Sequence, residues 1–134
     1  MKLILDTNVM VSGIFFSGPP HLILKAWRAG EIDLVLSLEI FEEYRQTAAI
    51  LAEGFPPVDL QAILILIEKD AQFFKAPALP DPVCTDPDDD KFLACAVASG
   101  VDVIVSGDKH LLKVSGFRGI MILRPRVFVD GYLS

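Results

Sequence analysis

Several marks of common protein classes are scarce or missing in this sequence. It has two cysteines, Cys84 and Cys95, eleven positions apart with no neighbouring histidine, which matches neither a zinc pair nor a C-x-x-C redox motif. Buried free thiols are expected, in preference to a disulfide. Long apolar runs are absent: Ala62 to Ile67 and Leu34 to Leu36 fall far short of the roughly 20 residues a bilayer span needs, so no membrane segment is read. At the N-terminus, M-K-L-I-L-D meets an acid before a signal-length apolar region forms, and a cytoplasmic location is expected. Positive charge is in deficit, with 12 Lys and Arg against 18 Asp and Glu and a net charge of −6. That balance disfavours simple electrostatic binding to phosphates. It leaves open an acidic pocket whose sign is reversed by a divalent metal.

What is present is a chain of 134 residues, 52 % apolar and 22 % charged, without repeats or low-complexity tracts. One domain over residues 1–134 is expected, burying roughly two thirds of the surface its unfolded form exposes. Lys2 to Leu5, Leu34 to Leu36, Val103 to Val105 and Ile120 to Leu123 read as short buried strands. Helices are expected over His21 to Ala29, from a Ser37 cap to about Ala52, over Val58 to Phe74 with its end fraying into an extended piece near Lys75, from about Asp89 to Ser99, and in a short closing piece from Arg124 to Tyr132. Strands alternating with helices imply an α/β fold: a three-layer α/β/α sandwich around a central parallel sheet. In such folds ligands gather outside the carboxyl ends of the strands.

Asp6 directly follows the first strand and Asp108 lies three residues past Val105, both at that edge. Each also has an ordinary reading, as a turn or helix cap. The stretch T-D-P-D-D-D-K-F-L-A-C-A, Thr85 to Ala96, adds four more acids. Residues three, four and seven ahead share a helix face. From Asp90 these are Leu93, Ala94 and Val97, and from Asp89 they are Phe92, Leu93 and Ala96, all apolar, so the test alone does not separate the two. Asp90 is the first inward candidate and Asp89 the second. Asp86 and Asp88, in a proline-broken loop, read as solvated or capping. In the helix after Ser37, Ile40, Phe41, Tyr44, Ala48 and Leu51 form an apolar stripe, which places Glu42 toward water and Glu43 at the margin of the stripe. Asp6, Glu43, Asp90 and Asp108, brought together, would repel one another unless neutralised, and hard divalent cations with oxygen ligands do that. The matching chemistry is metal-assisted phosphodiester hydrolysis. His21 and His110 are tied to these acids by no motif and are poor general-base candidates.

L-D-T-N-V at Leu5 to Val9, E-E-Y at Glu42 to Tyr44, D-P-D-D-D-K-F-L-A-C-A at Asp86 to Ala96 and V-S-G-D at Val105 to Asp108 together resemble PIN-domain nucleases. The branch they look most like is that of VapC-like toxins of toxin–antitoxin pairs. The resemblance spans nearly the whole chain. It implies a Rossmann-like sandwich and cleavage of RNA with Mg²⁺ or Mn²⁺. The motif acids it carries over are Asp6, Glu43, Asp90 and Asp108, as catalytic and metal-binding residues. Asn8 and Ser106 fall where the family has polar residues that support the acids, and Glu42 stays a rival of Glu43. Lys91, Lys109, His110 and Lys113 are candidate contacts to the RNA backbone. The same resemblance implies a homodimer or higher homo-oligomer and a cognate antitoxin.

Two other readings compete. A catalytically silent scaffold of the same fold would act by protein binding, with its acids as solvated caps. A phosphatase or phospho-acceptor site of similar layout would need a second Asp two residues after the first, where position 8 is Asn, or a phospho-acceptor Asp on a later central strand paired with a strand-end Lys; neither pattern is met.

Overall fold

The structure, a computed structural model, describes residues 1–133. It contains a five-stranded sheet in the order β3-β2-β1-β4-β5, all strands parallel, with helices flanking it: the expected α/β/α sandwich. The strands are β1 (Lys2–Leu5), β2 (Asp33–Leu36), β3 (Gln72–Phe73), β4 (Val103–Val105) and β5 (Met121–Leu123). The helices are α1 (Thr7–Phe15), α2 (Pro19–Arg28), α3 (Leu38–Ala52), α4 (Leu60–Asp70), α5 (Asp90–Ser99), α6 (Lys109–Leu112) and α7 (Pro125–Phe128). Leu3, Ile4 and Leu5 of β1 and Val103, Ile104 and Val105 of β4 are all buried, because both faces of a parallel sheet are covered.

The physical reasons for most boundaries are local. Two prolines occupy the first turn of α2, where their missing N–H groups leave no bond unmade. Ser37 caps α3 by accepting the Ile40 N–H at 3.3 Å. Gly100 ends α5 at φ +78°, a conformation costly for other residues. Gly13 matters for packing instead. A Cβ there would stand 2.7 Å from Leu24 Cδ1 and 2.8 Å from the Pro20 carbonyl, so its lack of a side chain lets α1 and α2 meet.

Two expectations need correction. The helix expected over Val58 to Phe74 is shorter: Asp59 caps it through the Ala62 N–H, and at Ala71 the chain turns extended and adds β3 beside β2. No helix was expected over Thr7–Phe15, where β-branched residues and Gly13 weaken local propensity, yet burial of Val9, Met10 and Val11 holds α1. The closing helical piece is found where expected: α7 over Pro125–Phe128 passes directly into a wider helical turn over Val129–Leu133.

Strand order reverses at β1: β2 and β3 lie to one side of it, β4 and β5 to the other. The crevice between β1 and β4, beyond Leu5 and Val105, is therefore the switch point where such sheets bind ligands. Helices that return antiparallel to the strands present their N-termini at this edge, which brings the starts of α3 and α5 to it.

Candidate active site

Asp6 leaves β1 at the switch point, and its backbone N–H is held by the Val105 carbonyl at 2.9 Å. The residue is 5 % exposed. Ser106, fully buried at the end of β4, donates its hydroxyl to Asp6 Oδ2 at 2.6 Å and accepts the Asp108 N–H at 3.0 Å, so one hydroxyl ties the acid after β1 to the acid after β4. Burial raises the Asp6 carboxyl above its ordinary value. The bonds from Ser106 and from the Thr7 backbone act against that rise, and the charges of Asp108 and Glu43 add to it. Asp108 spends Oδ1 on the His110 N–H at 2.8 Å, capping α6.

Glu43 reaches the crevice from α3. Thr7 Oγ1 donates to its Oε2 in a short hydrogen bond, and Lys91 Nζ stands 3.0 Å from its Oε1. The neighbouring Glu42 is exposed and pairs with Arg45 at 2.8 Å, away from the crevice. Tyr44, on the buried side of the same helix, donates its hydroxyl to the Leu5 carbonyl in a short bond, fixing α3 to the end of β1. Burial, and then the nearby Asp6 charge, raise its phenol well above the ordinary range.

The acid run at the start of α5 divides differently from expectation. Asp90 turns its carboxylate away from the other acids: Oδ1 accepts the Cys84 N–H at 2.8 Å and Oδ2 the Val83 N–H at 3.1 Å. Burial pushes its carboxyl up, but these bonds and one from the Cys84 thiol outweigh that, and it sits below its ordinary value. Asp89 is the acid that faces the crevice. Its Oδ2 is shielded from solvent and has no hydrogen-bond partner. Its carboxyl is pushed up to about 6, first by burial and then by the charges of Asp108, Asp6, Asp86 and Glu43. Asp86 caps the turn over Pro87–Asp89 by accepting the Asp88 N–H at 3.0 Å.

The structure thus gathers Asp6, Glu43, Asp108 and Asp89 around the switch point, with Ser106 and Thr7 holding two of them. Asn8 is exposed, and the supporting contact expected of it is made by Thr7. The signal for Thr7 was its place in the same D-T-N turn, one residue nearer the strand. Cys84 and Cys95 are both buried free thiols, each pushed up to about 12 by burial.

A doubly wound α/β domain with carboxylates from four segments at its switch point has the layout of a phosphodiester-cleaving hydrolase. A family model described as PIN domain matches residues 2–110, and the chain belongs to that family, whose members are generally nucleases. No curated protein matches the chain closely. Among the described residues, no single helix is long and apolar enough to cross a membrane.

Proposed function

We propose that this protein is a divalent-metal-dependent endoribonuclease working in the cytoplasm as one PIN domain over residues 1–134, the toxin component of a VapC-like toxin–antitoxin pair. The observation that carries the nuclease reading is the clustering of Asp6, Glu43, Asp89 and Asp108, with one shielded, unpartnered oxygen on Asp89. An ionised carboxylate in that setting is costly without a cation.

The donor set fits Mg²⁺ or Mn²⁺ in type, since it is all carboxylate oxygen. Among the described residues no three Asp, Glu, His or Cys side chains stand close enough to hold an ion as they are, so binding requires side-chain adjustment. Asp6, Asp89, Asp108 and Glu43 are the residues that would hold it. A divalent ion bound there supplies neutralisation of the acids and polarisation of a phosphodiester oxygen. The chain's own contribution is orientation: Ser106 fixes Asp6, Thr7 fixes Glu43, and the α6 cap fixes Asp108. Asp90 serves instead to anchor the loop at Val83 and Cys84 that leads into the site.

RNA as substrate, the antitoxin and a homo-oligomer rest on the family resemblance. Exposed Leu38, Ile50 and Ile65 offer apolar surface for a protein partner. The test is RNA cleavage by purified protein with Mn²⁺, beside Asp6→Asn and Asp89→Asn. Cleavage lost in both variants supports the reading, and equal cleavage by all three proteins overturns it. The scaffold reading draws on the Lys91–Glu43 pair, which partly neutralises the cluster without metal. It predicts that Mn²⁺ leaves the melting temperature unmoved.

A further inference from the structure

Lys91 occupies a boundary. Its ammonium is 3.0 Å from Glu43 Oε1, inside the acid centre, with the two side chains 22 % and 32 % exposed. It also lines a cleft of about 690 Å³ beside that centre, formed by Ser37 and Glu39 at the start of α3, the proline-rich segment from Ala76 to Pro82, and the start of α5. Among the described residues lining this cleft Lys91 is the single cation, while Glu39, Asp88 and Asp90 carry negative charge. A polyanionic strand lying in the cleft has this one ammonium to meet.

Each carboxylate oxygen of Glu43 has one partner, Oε2 the Thr7 hydroxyl and Oε1 the Lys91 ammonium. A divalent cation drawing on Glu43 and the ammonium already beside it repel each other at this range, so the two compete for the carboxylate. We propose that Lys91 is a positioning residue with two exchangeable partners: it is the counter-ion of Glu43 until a divalent cation displaces it, and it then contacts a non-bridging phosphate oxygen of a strand lying in the cleft. Its first half rests on the metal binding proposed above and its second on the nuclease reading. The two halves are coupled, because the charge released from Glu43 is the charge the strand requires. The stem of Lys91 is long enough to serve both sides of the boundary on which it sits, and its position on the first turn of α5 keeps that choice independent of the core.

The experiment compares wild type with Lys91→Met, which keeps the stem and removes the charge, and Lys91→Arg, which keeps the charge. Mn²⁺ binding is measured by calorimetry without RNA, and KM and kcat are measured on a single-stranded oligoribonucleotide. Lys91→Met is expected to bind Mn²⁺ about two- to fivefold more tightly, the range a partly exposed ion pair is worth. Its KM is expected to rise roughly tenfold with a smaller change in kcat, as for loss of a charged hydrogen bond. Lys91→Arg should stay near wild type in both. Mn²⁺ binding that is unchanged or weaker in Lys91→Met overturns the counter-ion role, and an unchanged KM overturns the phosphate contact. If wild type cleaves no RNA, the nuclease reading and the phosphate contact fall together, while the calorimetry still decides the counter-ion role.

Discussion

Asp89 and Asp90 are adjacent, chemically identical and placed by the fold in opposite electrostatic situations, so converting each to Asn separates structure from function. Asp89 titrates near pH 6 against an ordinary 3.8, a rise of roughly two units that sets a ceiling of about 3 kcal/mol on its cost to the folded state at pH 7. The residue is partly exposed, and solvent screening reduces this to about 1 kcal/mol. Asp89→Asn should therefore raise the melting temperature by about 3 to 5 °C at pH 7 in the presence of a chelator. Asp90→Asn weakens charge-assisted bonds from the Cys84 and Val83 amides and should lower stability by about 1 to 2 kcal/mol. Activity runs the other way: Asp89→Asn should abolish RNA cleavage and Asp90→Asn should retain most of it. Mn²⁺ should raise the melting temperature of wild type and Asp90→Asn, and not that of Asp89→Asn.

The pH dependence fixes the sign independently. Between about pH 4 and pH 6 the folded chain binds more protons at Asp89 than the unfolded chain does, so stability falls as pH rises through that window. The advantage of Asp89→Asn should be near zero at pH 4 and complete by pH 7. Asp6, also raised, is common to both proteins and largely cancels. Thermal melts across this range with parallel cleavage assays decide the matter. A lower melting temperature for Asp89→Asn, together with loss of cleavage but not of stability in Asp90→Asn, would refute the assignment of Asp89 to the acid centre.

Ser106→Ala removes the donor to Asp6 and the acceptor of the Asp108 N–H from a fully buried position; a loss of about 1 to 3 kcal/mol by chemical denaturation is expected, with cleavage impaired at every Mn²⁺ concentration. Gly13→Ala forces a methyl against Leu24 and the Pro20 carbonyl and should cost about 1 to 3 kcal/mol by the same measurement without touching the acids, so any activity loss should follow unfolding. Glu43→Gln should abolish cleavage, whereas Glu42→Gln, altering an exposed pair with Arg45, should leave turnover unchanged.

The sheet was readable in the sequence because β1, β2, β4 and β5 appear as short apolar runs, with β1, β2 and β4 buried on both faces and β5, at the edge, buried at Ile122. β3 was readable only as an extended piece near Lys75 and not as a strand, since it has two residues, lies at the edge and follows a helix without a turn signal. Its existence depends on pairing with Val35 and Leu36, a tertiary contact that local sequence does not encode. The same holds for α1. Thr7 and Asn8 read as a turn after Asp6, yet Asp6 is the residue just before a helix whose propensity is supplied by packing on α2 and α3.

The acids show where pattern reasoning stops. Asp6 and Asp108 needed only the rule about strand ends, and Glu43 was separated from Glu42 by a stripe that is buried at Ile40, Phe41, Tyr44 and Ala48. The face test at α5 could not choose between Asp89 and Asp90 because it scores apolarity, and Val97 is apolar but 39 % exposed. Scored by burial, the companions of Asp89, namely Phe92, Leu93 and Ala96, are all in the core, while the set from Asp90 is broken at Val97. The tighter turn over Pro87–Asp89 also precedes the first turn of α5, so the phase of the helix does not extend unchanged to its flanking acid. What finally commits Asp90 elsewhere is a pair of backbone amides six and seven residues upstream in a proline-bounded loop, groups that have no side-chain signature. An acid facing two backbone amides is held by them, and its neighbour is left to face the other acids; on this chain that division leaves one shielded oxygen of Asp89 without a hydrogen-bond partner at the crevice.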